Sequence, residues 1–181
     1  FGLLLVVAAH LVAPMTDAGA QTAPPAVAFV SDSSASLRPA TLANAVAAVV
    51  AALDGLAADT PAGVIEVSTA ARVVSPLGTD RAVTKQALAG LVVRGDTALN
   101  DGLVLAAEML RSHSGPRLIT AISDGDDTTS SAGVDDAVAA LDGAGAEVAG
   151  VLLLSGDAAG TDLQAVVAGT GGRMVPSVDG A

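Results

Sequence analysis

The chain has 181 residues, enough for one domain with a buried core, and it is 51% hydrophobic with only 1% aromatic residues. Its formal net charge of -11 at pH 7 argues against a nucleic-acid backbone as partner. There is no cysteine, and His10 and His113 are the only histidines, so disulfide frameworks, thiolate metal sites and histidine-rich zinc sites lack material.

Phe1 to Ala13 is apolar apart from His10, and it is too short to span a bilayer comfortably as a helix. Ala18-Gly19-Ala20 adds a small-residue A-x-A pattern, and Gln21-Thr22-Ala23-Pro24-Pro25 follows as a loop. Together they read as a secretory signal peptide cleaved near Ala20. On this reading residues 1–25 are signal remnant and linker, and 26–181 are the folded domain. A positive n-region and an initiating methionine do not precede the apolar stretch, so the first residue is expected to fall inside a precursor. The competing reading is a core helix or a retained anchor. Export makes the expected location extracytoplasmic: secreted, periplasmic or cell-surface.

Val27 to Ser31 is a short, continuous apolar run, the pattern of a strand covered on both faces. Arg38-Pro39 opens a helix, because proline is harmless in the first turn. Leu42, Val46, Val49, Val50 and Leu53 repeat at helical spacing up to the stop at Asp54-Gly55. Gly63 to Ser68 and Arg72 to Val74 read as strands around Thr69-Ala70, close enough for an antiparallel hairpin with one reversed strand. Thr79-Asp80 offers an N-cap to a short helix marked by Val83, Leu88 and Leu91.

Gly95-Asp96-Thr97 then interrupts the pattern before a helix with Leu99, Leu103, Ala106, Met109 and Leu110, which Gly115-Pro116 breaks. Arg117 to Ser123 is the next apolar strand, ending at Asp124-Gly125-Asp126-Asp127. Val134 to Leu141 (helix), Glu147 to Leu154 (strand), Thr161 to Ala168 (helix) and Arg173 to Val175 (strand) complete the series. The alternation predicts an α/β domain: a Rossmann-like, doubly wound, mostly parallel six-stranded sheet with one antiparallel edge strand and helices on both faces.

Asp32, Ser34 and Ser36 alternate just where the first strand ends, so in an extended segment they point the same way. Open α/β sheets place their ligands at that end of the strands. One carboxylate and two hydroxyls are hard oxygen donors, which suit a magnesium-like ion better than zinc or copper. Thr97 and Asp124 present further oxygen atoms after other elements. The bland alternative for Ser34, Ser36 and Thr97 is the capping of turns and helices.

The combination resembles the von Willebrand factor type A domain, also called integrin I-like. Its metal-ion-dependent adhesion site, or MIDAS, has an Asp-x-Ser-x-Ser loop, a threonine in a second loop and an aspartate in a third. Here these are Asp32-Ser33-Ser34-Ala35-Ser36, Thr97 in Gly95-Asp96-Thr97-Ala98-Leu99, and Asp124 in Ile122-Ser123-Asp124-Gly125. The resemblance runs from about Ala26 to Val175, with the motifs in the family's order. It implies a bound Mg2+, with Mn2+ or Ca2+ as substitutes. The hydroxyls of Ser34, Ser36 and Thr97 would lie near the ion, and Asp32 and Asp124 would hold it directly or through water. It further implies a protein partner that supplies an Asp or Glu carboxylate, and no catalysis.

Other acids carry weaker signals. Asp96 and Asp101 are helix-start charges or outer groups of the metal site. Asp126 and Asp127 read as a solvated loop: Asp124, Asp126, Thr128 and Asp135 only loosely match an EF-hand, with Thr129 where glycine is needed. Glu66, inside an apolar strand, either faces solvent at the sheet edge or pairs with Arg72 across the hairpin. His113 is accounted for by its place beside a helix end.

An alternative class is a phospho-aspartyl hydrolase with Asp32 as nucleophile. Such enzymes need a second carboxylate two residues on and a nearby lysine, whereas Ser34 stands there and Lys85 is the only lysine. No Gly-x-Ser-x-Gly elbow occurs, and Gly143-Ala144-Gly145 precedes a strand rather than opening a nucleotide-binding helix. A further alternative is an assembly or regulatory domain of a membrane-bound pilus or secretion machine. Its membrane tether or fusion would lie outside the given residues.

Overall fold

A computed structural model describes residues 23–153 and 160–175. The expected signal peptide with its Ala20 cleavage point, and the expected strand end at Leu154, lie outside these residues. Strands β1 (Ala26–Asp32), β2 (Ala62–Val67), β3 (Arg72–Ser75), β4 (Arg117–Ser123), β5 (Ala146–Leu152) and β6 (Arg173–Val175) form one sheet. Its order is β3-β2-β1-β4-β5-β6, with only the β2–β3 pair antiparallel. The expected doubly wound sheet with one reversed edge strand is the observed one.

Helices α1 (Pro39–Gly55), α2 (Arg81–Ala89), α3 (Leu99–Leu110), α4 (Val134–Ala144) and α5 (Thr161–Gly169) cover it. Helix α1 starts with Pro39 in its first turn, as its sequence indicates. Helix α2 is capped by the Asp80 carboxylate, which accepts from Ala82 N at 2.8 Å.

The period-2 alternation of the strands divides the core in two. Ala26, Ala28 and Val30 of β1 pack with Leu99, Leu103 and Leu110 of α3, and with residues of α4 and α5. Val27 and Phe29 point the other way, against Leu42, Val49 and Leu53 of α1 and Leu88 of α2. This double burial is why β1 needs a continuous apolar run. Truncating a fully buried leucine such as Leu103 to alanine would cost about 2–5 kcal/mol.

Winding determines where polar groups can gather. From β1 the chain crosses over through α1 to β2 on one side, and it later returns through α3 to β4 on the other. The strand order therefore reverses between β1 and β4, and the crevice beyond their carboxyl ends is the switch point at which such sheets bind ligands. Asp32 ends β1, and Asp124 directly follows β4. Among the described residues no helix is long and apolar enough to cross a membrane.

Candidate metal centre

The first loop leaves β1 through a tight local turn. Asp32 is 1% exposed, and its Oδ1 accepts the Ser34 backbone N–H at 2.7 Å. That bond turns the chain so that the hydroxyls of Ser34 and Ser36 meet, 2.8 Å apart, with Ser34 buried and Ser36 at the exposed rim. The strand ends at Asp32, so it is this turn, not the extended alternation expected from the sequence, that gathers Ser34 and Ser36 beside Asp32.

Thr97 sits on a second loop laced to the first by backbone hydrogen bonds. Ala35 N donates to Gly95 O and Arg94 N donates to Ser33 O, each at 2.8 Å. Gly95 has φ +67°, and a Cβ there would lie 2.1 Å from Thr69 Oγ1, so the loop passes where only glycine fits. Thr97 is 4% exposed. Its N–H donates to Thr128 Oγ1 at 2.9 Å and its carbonyl accepts Thr128 N at 2.9 Å, which joins it to the loop after β4.

Asp124 is buried at the start of that third loop. Ser123, beside it, is fully buried: its Oγ donates to Asp32 Oδ2 at 2.6 Å and accepts from Gly125 N at 3.0 Å. This hydroxyl ties the first and third loops together, a role the sequence reading did not assign. The only signal for it was a polar residue closing an apolar strand ahead of an aspartate. Gly125 has φ +113°, and a Cβ there would come within 2.0 Å of Gly160 Cα. The third loop and the start of α5 are therefore packed backbone against backbone.

Asp96 is exposed, whereas Asp126, Asp127 and Asp101 hold loops. Asp126 Oδ1 accepts from the N and Oγ1 of Thr161 at the start of α5, each at 2.9 Å. Asp127 accepts from Asn100 N at 2.8 Å and Ser130 N at 2.9 Å. Asp101 accepts from Ser131 N at 3.0 Å and Ala132 N at 2.9 Å. The solvated-loop reading of Asp126 and Asp127 is thereby corrected: both are half-buried and bonded to backbone amides of other segments. Asp135 lies on the first turn of α4, outside that loop. Glu66 also differs from one of its two readings. It is fully buried, not solvent-facing, and it does pair with Arg72 across the hairpin.

Charge balance distinguishes Asp32. Burial pushes its carboxyl above the usual carboxylate range, and the negative charge of Asp124 adds to this against the pull of the bonds from Ser123 and Ser34. Among the described residues no Lys, Arg or His forms an ion pair with Asp32. Nor, among them, do three or more His, Cys, Asp or Glu side chains group as metal ligands. The candidate oxygens on the three loops, two carboxylates with serine and threonine hydroxyls, are of the chemical kind that suits a hard divalent cation with several retained waters. In the first turn of α3, Asn100 is 4% exposed and its Oδ1 has no hydrogen-bond partner.

The family model for the von Willebrand factor type A domain matches residues 27–126. An aerotolerance-related membrane protein from Bacteroides fragilis has the same fold at a TM-score of 0.70 and 17% identity, over 86% of this chain and 92% of its own. A von Willebrand factor type A protein from Catenulispora acidiphila aligns at 0.71 and 22% identity, over 87% of this chain and 39% of its own. Proximal thread matrix protein 1 of the mussel byssus, solved with a zinc-occupied MIDAS motif, aligns at 0.69 and 18% identity, over 86% and 42%. None of the curated proteins matches the chain. The matched segment runs from β1 past Asp124 and includes Asp32, Ser34, Ser36 and Thr97, and this chain belongs to the von Willebrand factor type A domain family.

Proposed function

We propose that this domain is a non-catalytic, divalent-cation-dependent protein-binding module. Its cation, Mg2+ in the first instance, would be held by Asp32, Ser34, Ser36, Thr97 and Asp124. The observation that carries the reading is the pairing of two buried carboxylates at the sheet's switch point, with burial and mutual repulsion raising the Asp32 pKa. A divalent ion would relieve that cost more fully than hydroxyl donors do. When bound, it supplies an incompletely coordinated Lewis-acid centre that accepts an Asp or Glu carboxylate from the partner.

The chain's own residues shape that centre. Asp32 and Asp124 would just balance a divalent charge, while Ser34, Ser36 and Thr97 add neutral oxygens, so an incoming carboxylate would replace a water on the ion without a further protein carboxylate to repel it. Ser123 and the 94–98 backbone keep the loops in register. A phospho-aspartyl mechanism has less support, because Lys85 is paired with Asp54 and Ser34 stands where the acid/base would be.

A membrane-bound assembly machine is the second reading, and it concerns where binding happens rather than how. It draws on the export-like N-terminal sequence and on a structural neighbour described as a membrane protein. Either version implies an extracytoplasmic location. Partner capture from native envelope or medium provides the test: EDTA should abolish it and Mg2+ restore it in wild type but not in Asp32→Ala. Equal capture in EDTA would contradict the proposal.

A further inference from the structure

Glu66 is the one fully buried side chain in β2 that carries a charge. Its neighbours in register are Ser31 of β1 and Arg72 of β3, which places it on the α1/α2 face of the sheet with Val64. Removing an ion from water costs several kcal/mol unless partners compensate it. The partners here are specific. Oε1 accepts Ser33 Oγ at 2.9 Å, and Arg94 Nη2 reaches Oε1 at 3.2 Å and Oε2 at 3.1 Å. Arg72 Nε pairs with Oε2 from the edge strand.

Ser33 lies between the proposed ligands Asp32 and Ser34, and Arg94 directly precedes Gly95 in the Thr97 loop. The two residues are also joined to each other, Arg94 N donating to Ser33 O at 2.8 Å. Carboxylate, hydroxyl and guanidinium thus close a ring that spans both loops. Nothing in apolar packing requires a carboxylate at this point. An apolar residue would fill the position but could not grip either loop.

We propose that Glu66 is a positioning residue for the metal centre: through Ser33 and Arg94 it fixes the spacing of the first loop and the Thr97 loop. This rests on the metal-site reading given above. Outer groups that orient metal ligands commonly account for about 10–100-fold in metal affinity. Arg72 provides the internal control, because it touches the same carboxylate but belongs to neither loop.

The test is a Mn2+ titration, read by the loss of the free-ion electron paramagnetic resonance signal. It compares wild type, Asp32→Ala, Glu66→Gln, Arg94→Gln, Ser33→Ala and Arg72→Gln, with each variant's Tm measured in EDTA. Arg94→Gln and Ser33→Ala should weaken Mn2+ binding by about 10-fold or more. Arg72→Gln should lower Tm as Arg94→Gln does while keeping near-wild-type affinity. Glu66→Gln should follow Arg94→Gln, and the half-exposed arginines keep the question answerable if Glu66→Gln fails to fold. Equal loss of affinity in Arg72→Gln and Arg94→Gln, or none in Arg94→Gln and Ser33→Ala, would overturn the positioning role alone. Absence of Mn2+ binding in wild type, or wild-type binding in Asp32→Ala, would overturn the metal-site reading beneath it.

Discussion

Asp32 and Glu66 are buried carboxylates on adjacent strands, one register step apart, and the fold handles them in opposite ways. Glu66 pairs with Val30's successor Ser31 and turns to the α1/α2 side, while Asp32 pairs with Val67 and turns to the other. Glu66 receives two guanidiniums and a hydroxyl. Among the described residues Asp32 receives only neutral donors, from Ser123 and from the side chain and backbone of Ser34, and the negative charge of Asp124 acts on it. One acid is neutralised within the molecule; the other is left short of positive charge at the mouth of a switch-point crevice. Burial alone therefore does not mark a cation site. The proposed site differs in that Asp32 is buried without an internal cation among those residues to pair with it.

The largest effect should come from removing the compensation of Glu66. An Arg72→Gln/Arg94→Gln double variant leaves a buried carboxylate unpaired, which typically costs about 3–5 kcal/mol. Because both guanidiniums are roughly half exposed, at 52% and 51%, the lower end applies. Urea unfolding in EDTA measures it, and a change near zero would remove the contrast between the two acids.

A smaller loss tests the geometry on the Asp124 side. Gly125→Ala places a methyl group against Gly160 at a positive φ, so it should destabilise the fold by about 1–3 kcal/mol. It should also weaken Mn2+ binding by displacing the loop that carries Asp124. Unchanged affinity would show that the third loop tolerates movement.

The smallest effect has the opposite sign. Burial raises the folded-state pKa of Asp32 above its ordinary value of 3.8. Between these two values the native state holds more protons than the unfolded chain, so stability falls as pH rises through that window. The cost is absent below the ordinary carboxylate range and complete above the raised pKa. In EDTA, Asp32→Asn should therefore have a higher Tm than wild type at neutral pH. The advantage should fade as pH falls into the carboxylate range. A lower Tm at neutral pH would mean that Asp32 is already compensated.

Much of this was legible in the sequence because it is local. The buried run before Asp32, the i, i+2, i+4 placement of Ser34 and Ser36, and the hairpin at Thr69-Ala70 each depend on neighbouring residues. The alternation of strands and helices then supplied the sheet. What stayed hidden depends on residues far apart in the chain. Ser123 acquires its role from Asp32 across 91 positions, and Glu66 from Arg94 across 28. A glutamate in an apolar strand reads equally well as an edge residue or a buried one until its cations are located. Asp126 and Asp127 looked like loop solvation because the amides they hold, on Thr161 and Asn100, belong to other segments.

The proposed role of Asp32, with Asp124 beside it, is to receive a cation, and a thermal-shift titration addresses it most directly. Wild type, Asp32→Ala and Asp124→Ala would be melted in EDTA and in increasing Mg2+ or Mn2+. Ligand linkage predicts that wild-type Tm rises with metal concentration, by about 2.7 kcal/mol of added stability at a hundredfold excess over Kd. It predicts a flat response in both variants. An equal metal-induced rise in all three proteins would contradict the account.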